Sequence, residues 1–125
     1  MKINLPLLEQ QIVDGQLVSK EKTVEFEIDT SVYSEERWEQ HFPALAAKRG
    51  LFQYIEHIQS ESVSDRVQVV AMLKAVFCFI ESKDISSYKD FAKMFNLAAP
   101  EYVEKLINTL LSSFKLIIGS SAVKN

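Results

Sequence analysis

Residues 24–42 read Val24-Glu25-Phe26-Glu27-Ile28-Asp29-Thr30-Ser31-Val32-Tyr33-Ser34-Glu35-Glu36-Arg37-Trp38-Glu39-Gln40-His41-Phe42. The hydrophobic period changes inside this stretch. Val24, Phe26 and Ile28 alternate with Glu25, Glu27 and Asp29, one apolar and one acidic face, as a half-buried antiparallel strand requires. From Ser34 the spacing becomes helical. Ser34 is placed to cap, Glu35 and Glu36 occupy the first turn, and Trp38 and Phe42 lie one turn apart on one face. The chain therefore passes from a β module over 1–33 to a helical body over 34–118.

Upstream, Asp14-Gly15 separates Ile12-Val13 from Leu17-Val18, a short-range hairpin signal. Lys2–Leu5 adds a short edge strand ending at Pro6. The expected module has two to four strands. Downstream, Pro43 ends the first helix or begins the next. Ala44–Gln59 sets Ala47, Leu51, Tyr54, Ile55 and Ile58 on one face, with Gly50 either breaking that helix or tolerated at ~1 kcal/mol. Ser62 or Ser64 caps a helix through Ile80 that is apolar nearly all round, which predicts the central, most buried element. Ser87 and Asp90 open a short helix ending near Asn96. Pro100 starts the last helix and Gly119 follows its final apolar residue, leaving 119–125 as a flexible tail. The fold class is α+β, mainly α, with an antiparallel hairpin or small sheet followed by about five helices.

The chain has 125 residues, a single domain's length, with 47% hydrophobic and 25% charged residues, in the range of packed proteins. Its six Gly and Pro residues fall mostly at element boundaries, which leaves little material for phosphate-cradling loops. Net charge is −3, with 11 acids and 6 bases in residues 1–62 against 6 acids and 8 bases in 63–125. Neither half is basic enough to favour a nucleic-acid partner by bulk charge. Val67–Ile80 is shorter than the ~20 residues of a spanning helix and contains Lys74, so no membrane partner is expected. The single cysteine, Cys78, sits among Val76, Phe77, Phe79 and Ile80 and reads as a small buried hydrophobe, consistent with a cytoplasmic location.

No catalytic, cofactor-binding or metal motif occurs. His41 and His57 are sixteen residues apart with no cysteine near, unlike metal ligands. Glu35, Glu36 and Glu39 are explained by a helix dipole and by solvation. Tyr88–Phe95, Asn96–Ala99 and Pro100–Leu110 have the layout of a helix-turn-helix, but the second helix would offer Glu101 and Glu104 to the groove, where acids repel phosphates. Trp38 and Phe42 join the β module to the helices as core, or anchor a partner if exposed. In the last helix Val103, Ile107, Leu110, Phe114 and Ile117 repeat at 4-3-4-3 spacing. Leu116 and Ile118 widen the apolar surface at its end. Phe114, Leu116, Ile117 and Ile118 are therefore candidate partner-binding residues, with Trp38 and Phe42, and the same end is expected to support self-association.

The segment Lys22–Ile58, with TVEFEIDTSVYSEERWEQHFPALAAKRGLFQYIEHI, together with the closing helix and its short tail, resembles the tail assembly chaperones of long-tailed bacteriophages and prophages of Gram-positive bacteria. The resemblance lies in the layout of the whole chain and in no invariant motif, so it carries no individual residue role. It implies a cytoplasmic, self-associating protein without enzymatic activity or cofactor. Such a protein coats the tape measure protein, keeps its long hydrophobic helix soluble, and yields to the major tail protein. It further implies a second, longer product made by a −1 ribosomal slip, for which Val123-Lys124-Asn125 could supply the codons. The alternatives are another phage structural or head-tail connector protein, and a helix-turn-helix regulator.

Overall fold

The computed structural model describes residues 2–60, 65–82, 84–96 and 99–122, with the side chains of 65, 66 and 113–122 excepted. A two-stranded antiparallel sheet precedes six helices among these residues, an α+β architecture that is mainly α. Strand β1 (Lys2–Val13) pairs with β2 (Gln16–Glu27) from Lys2↔Glu27 to Val13↔Gln16. The turn is Asp14-Gly15, with φ of 52° and 76°. Positive φ at both central residues is the type I′ geometry whose twist matches a two-residue hairpin.

β1 is longer than the sequence suggests. Pro6 does not end it, because Pro6 faces Thr23 at a position where the missing N–H costs the ladder nothing. A type I′ turn joins the Val13 carbonyl to the Gln16 N–H, so Val13↔Gln16 is a hydrogen-bonded pair. Alternation then makes every odd residue of β1 bond to β2 and turns the backbone of every even residue outward. Pro6 is even-numbered and sits on the outer edge.

One face of the hairpin's base builds the core. Ile3, Leu5, Leu7 and Phe26 are buried there, and Val24 packs beside them. Beyond Leu7 the ribbon leaves the body, and residues 9–13 and 16–23 are exposed. After β2 the chain crosses to the segment following the fourth helix. Ile28 bridges Ile80, the Asp29 N–H donates to the Phe79 carbonyl at 2.8 Å, and the Glu81 N–H donates to the Glu27 carbonyl at 2.8 Å.

Helix α1 is Tyr33–His41. Ser34 is not its cap: it lies buried in the first turn, and its Oγ donates to the Ser31 carbonyl at 2.7 Å. Phe42 leaves helical geometry, as a residue before proline tends to, and Pro43 becomes the first residue of α2 (Pro43–Ala46). The helix expected over Ala44–Gln59 is two, because the chain breaks at 47–50 and restarts as α3 (Leu51–Ser60).

Helix α4 (Asp65–Phe77) stops short of Ile80. Cys78, Phe79 and Ile80 instead donate to carbonyls three residues back, a tightened end that frees Ile80 for its bridge to Ile28. The proposed caps Ser62 and Ser64 lie outside the described residues. Helix α5 (Tyr88–Ala92) is capped by Ser87 as expected, with the Asp90 N–H donating to Ser87 Oγ at 3.2 Å, but ends at Ala92 rather than near Asn96. Helix α6 (Glu101–Ala122) continues through Gly119, so 119–122 are helical rather than tail, and 123–125 lie outside the described residues.

The core is aromatic. Trp38 stacks at 4.7 Å on Tyr54 and 5.4 Å from Phe42, and Phe77 links Phe42 to Phe91, which meets Phe26 edge-on at 6.2 Å. This file of rings ties α1 to α5 and the hairpin. Each fully buried ring adds about 1.5–3 kcal/mol of apolar burial.

Candidate partner-binding surface

α4 decides the surface. Its C-terminal half is core, with Met72, Leu73, Ala75, Val76 and Phe77 buried, while Val67 is 57% and Val70 42% exposed. The expectation that the whole helix is the most buried element is corrected accordingly. A helix apolar all round needs cover all round, and among the described residues α3, α5 and α6 cover only part of its circumference.

Two grooves border its open side. The first, about 210 Å³, runs between α4, α5 and the start of α6. Val69, Val70, Leu73, Ala92, Phe95 and Val103 line it, together with Tyr88, Asn96 and Pro100. The second, about 410 Å³, lies between α4 and the middle of α6, where Val69, Met72, Ile107 and Leu111 meet Gln59, Gln68, Glu104 and Asn108. Val69 belongs to both, so the two form one strip along α4, more apolar at the α5 end. A third hollow of about 350 Å³ sits where the hairpin leaves the body, between Leu7–Gln10 and Lys93–Asn96.

Polar contacts hold the strip's walls. Tyr54 donates its hydroxyl to the Ala71 carbonyl at 3.1 Å, and Gln68 donates to the Ile58 carbonyl at 2.9 Å, fixing α3 against α4. Burial pushes the Tyr54 and Tyr88 hydroxyls above their ordinary pKa. Arg37 binds together three parts of the chain. Its guanidinium donates to Asp29 at 2.9 Å and to the Cys78 carbonyl at 3.3 Å, comes within 3.8 Å of Glu81, and lies 4.7 Å over the Tyr33 ring. Hydrogen bonds from Ser31 and then from Arg37 hold the Asp29 carboxyl below its usual value. Cys78 is fully buried, as its neighbours suggest, and burial pushes its thiol up to about 12.

The sequence-derived partner residues separate. Trp38 is 0% exposed, with its indole N–H donating to the Arg49 carbonyl at 2.9 Å, so it belongs to the core and is not a surface anchor. Phe42 is partly buried against the same core. Val103, Leu106, Ile107 and Leu110 dock α6 on the body, as the 4-3-4-3 spacing predicts for its first half. Phe114, Leu116, Ile117 and Ile118 lie on α6, but their side chains are outside the described residues. Val67, Val69, Val70 and Phe95 are not among the partner-binding residues expected from sequence. The available signal was the all-round apolarity of α4, which marks either a central helix or an under-covered one.

Among the described residues no group of three His, Cys, Asp or Glu could hold a metal ion, and no helix is long and apolar enough to cross a membrane. His41 packs edge-on against Phe77 at 4.8 Å. The helix-turn-helix layout contains a first helix of five residues and a second whose opening turn exposes Glu101 and Glu104. Comparison with protein-family models, with curated proteins and with solved structures returns no match.

Proposed function

We propose that this protein is a non-enzymatic, cytoplasmic assembly chaperone that lays its α4 strip along an apolar helical segment of a larger structural protein, the tape measure protein of a long-tailed phage. The observation that carries the reading is the side of α4 left open by the described residues, with Val70 exposed in a groove walled by Val69, Leu73 and Phe95. An amphipathic helix seated in an apolar groove is a common recognition mode, read through anchors at i, i+3, i+4 and i+7. The resemblance of residues 22–58 and of the closing helix to tail assembly chaperones supplies the identity of the partner. On this reading the major tail protein displaces the chaperone as the tube grows.

The test is co-expression with the tape measure protein encoded beside this chain. Wild type keeps that protein soluble. Val70→Asp, which puts a charge into the groove from an exposed position, abolishes the effect while Trp38 fluorescence and helical circular dichroism stay native. Full solubilisation by Val70→Asp, or a neighbouring gene that encodes no long helical protein, refutes the proposal.

A further inference from the structure

The projecting half of the hairpin has two open edges, and they differ in chemistry. β2's edge carries Lys20, Glu21 and Lys22, all exposed. Charged side chains, lysine above all, are the usual guard against edge-to-edge pairing. β1's edge carries Leu8, Gln10, Gln11, Ile12 and Val13, with Glu9 its single charge between Pro6 and the turn. Ile12 is 77% and Val13 47% exposed. Among the described residues no backbone hydrogen bond joins Leu8, Gln10 or Ile12 to anything beyond the hairpin.

The even-numbered residues of β1 turn their backbone N–H and C=O outward, as the turn geometry requires. Pro6 closes this edge at its base, because it has no N–H to offer. Asp14, in left-handed geometry at φ 52°, closes it at the tip. The open edge is therefore residues 7–13, and its midpoint is Gln10.

A strand edge bounded symmetrically about one residue is complementary to its own copy. We infer that two copies of this chain pair β1 against β1 in antiparallel register about a two-fold axis through Gln10, making a continuous four-stranded sheet. A two-fold axis perpendicular to the sheet keeps each residue on its own face, so only registers pairing odd with odd and even with even are allowed. The register centred on Gln10 uses the whole open edge. Gln10 meets Gln10 of the second copy, and Leu8 meets its Ile12, as hydrogen-bonded pairs. Leu7 meets Val13, and Glu9 meets Gln11. No charge faces a like charge. The equivalent pairing of β2, centred on Ser19, would set Lys20 against Val18 and Glu21 against Leu17, so each charge meets an apolar side chain, and shifting the centre to Lys20 or Glu21 sets like charges opposite each other. Pairing also adds neighbours beside Ile12 and Val13, which the described residues leave exposed, and gives a two-stranded ribbon the third and fourth strands that independent stability requires. This interface is separate from the α4 strip and does not depend on the proposed partner.

Proline is the probe, since Pro6 shows that an outward-facing position of β1 accepts it without loss of the hairpin. Gln10→Pro removes one outward N–H per copy and hence both central hydrogen bonds of the interface. Ser19→Pro makes the same change at the opposite position on β2's edge. Sedimentation equilibrium of the full chain is expected to show a dimer. Gln10→Pro weakens it about 30-fold, equivalent to about 2 kcal/mol at 1.4 kcal/mol per factor of ten. Ser19→Pro leaves it unchanged. A second variant guards against misfolding of the first. In the proposed register the Cα atoms of the two copies' residue 10 lie ~5.5 Å apart, within disulfide range. Gln10→Cys therefore cross-links in a glutathione buffer and Ser19→Cys does not. A wild-type monomer at about 100 μM, equal effects of the two prolines, or a dimer in which Gln10→Cys fails to cross-link would overturn the inference.

Discussion

Removing the Glu35 carboxylate should make Gly50→Ala nearly harmless, although the two residues are fifteen positions apart and on different elements. Gly50 is the residue before α3, and its carbonyl accepts the first helical bond, from the Tyr54 N–H at 2.9 Å. Having no side chain, it cannot cap the helix itself. Gln53 reaches back to the Gly50 N–H at 3.3 Å, one half of a capping box. A second unpaired helix N–H is met from α1, where both Glu35 carboxylate oxygens accept the Leu51 N–H at 3.1 Å. That N–H belongs to a residue 1% exposed, so water replaces the carboxylate poorly. A hydrogen bond to a charged acceptor contributes about 1.5–3 kcal/mol and a lost N-cap costs ~1. For a half-buried Glu35, about 1.5 kcal/mol is expected for Glu35→Ala. A Cβ on Gly50 would meet Glu35 Oε1 at 3.0 Å, so Gly50→Ala displaces the carboxylate and loses most of the same energy. Gly50 is not in the left-handed region, so alanine brings no backbone strain. Its gain of about 0.4–1 kcal/mol through the unfolded chain roughly offsets its poor capping preference. The measurement is a double-mutant cycle by urea denaturation, followed through Trp38, the chain's single tryptophan. Gly50→Ala should cost about 1 kcal/mol in wild type and less than about 0.5 in Glu35→Ala, a coupling near 1 kcal/mol. Equal costs in both backgrounds would refute the capping argument.

Two further outcomes follow from Arg37 and its neighbours. Asp29→Asn should destabilise by about 2 kcal/mol at neutral pH, since Arg37, 12% exposed, loses its nearer charged partner and keeps only the more distant, exposed Glu81. The folded carboxyl's pKa lies below the ordinary 3.8, so its stabilisation is fully present above that value and is lost as pH falls below it. Acid titration of stability should therefore be shallower below about pH 4 in Asp29→Asn than in wild type, and parallel curves would count against the pairing. Cys78, buried and with its thiol pushed up to about 12, should resist aromatic disulfide reagents at pH 8 and react fully in urea. Rapid labelling of the native protein would contradict its place in the core.

The sequence by itself determined what depends on local spacing. Alternation at Val24, Phe26 and Ile28 marks β2. Asp14-Gly15 specifies the turn, because few dipeptides tolerate positive φ twice. Ser87 with Asp90 positions the α5 cap, and the 4-3-4-3 spacing docks the first half of α6. Each is a short-range preference written within a few residues. What only tertiary structure decided involves distant partners. To a local reading Pro6 ends a strand, because its cost depends on which edge its nitrogen faces, a matter of register with β2. Ser34 looks like a cap, because nothing local says that the Ser31 carbonyl takes its hydroxyl. Glu35 looks like a solvated acid, although it caps a helix on another element, which no window of sequence contains. Trp38 and Val70 are equally apolar to any local reading. One is sealed by Tyr54, Phe42 and the Arg49 carbonyl, and the other is left open, because burial is a property of which helices pack around a position rather than of the residue that occupies it.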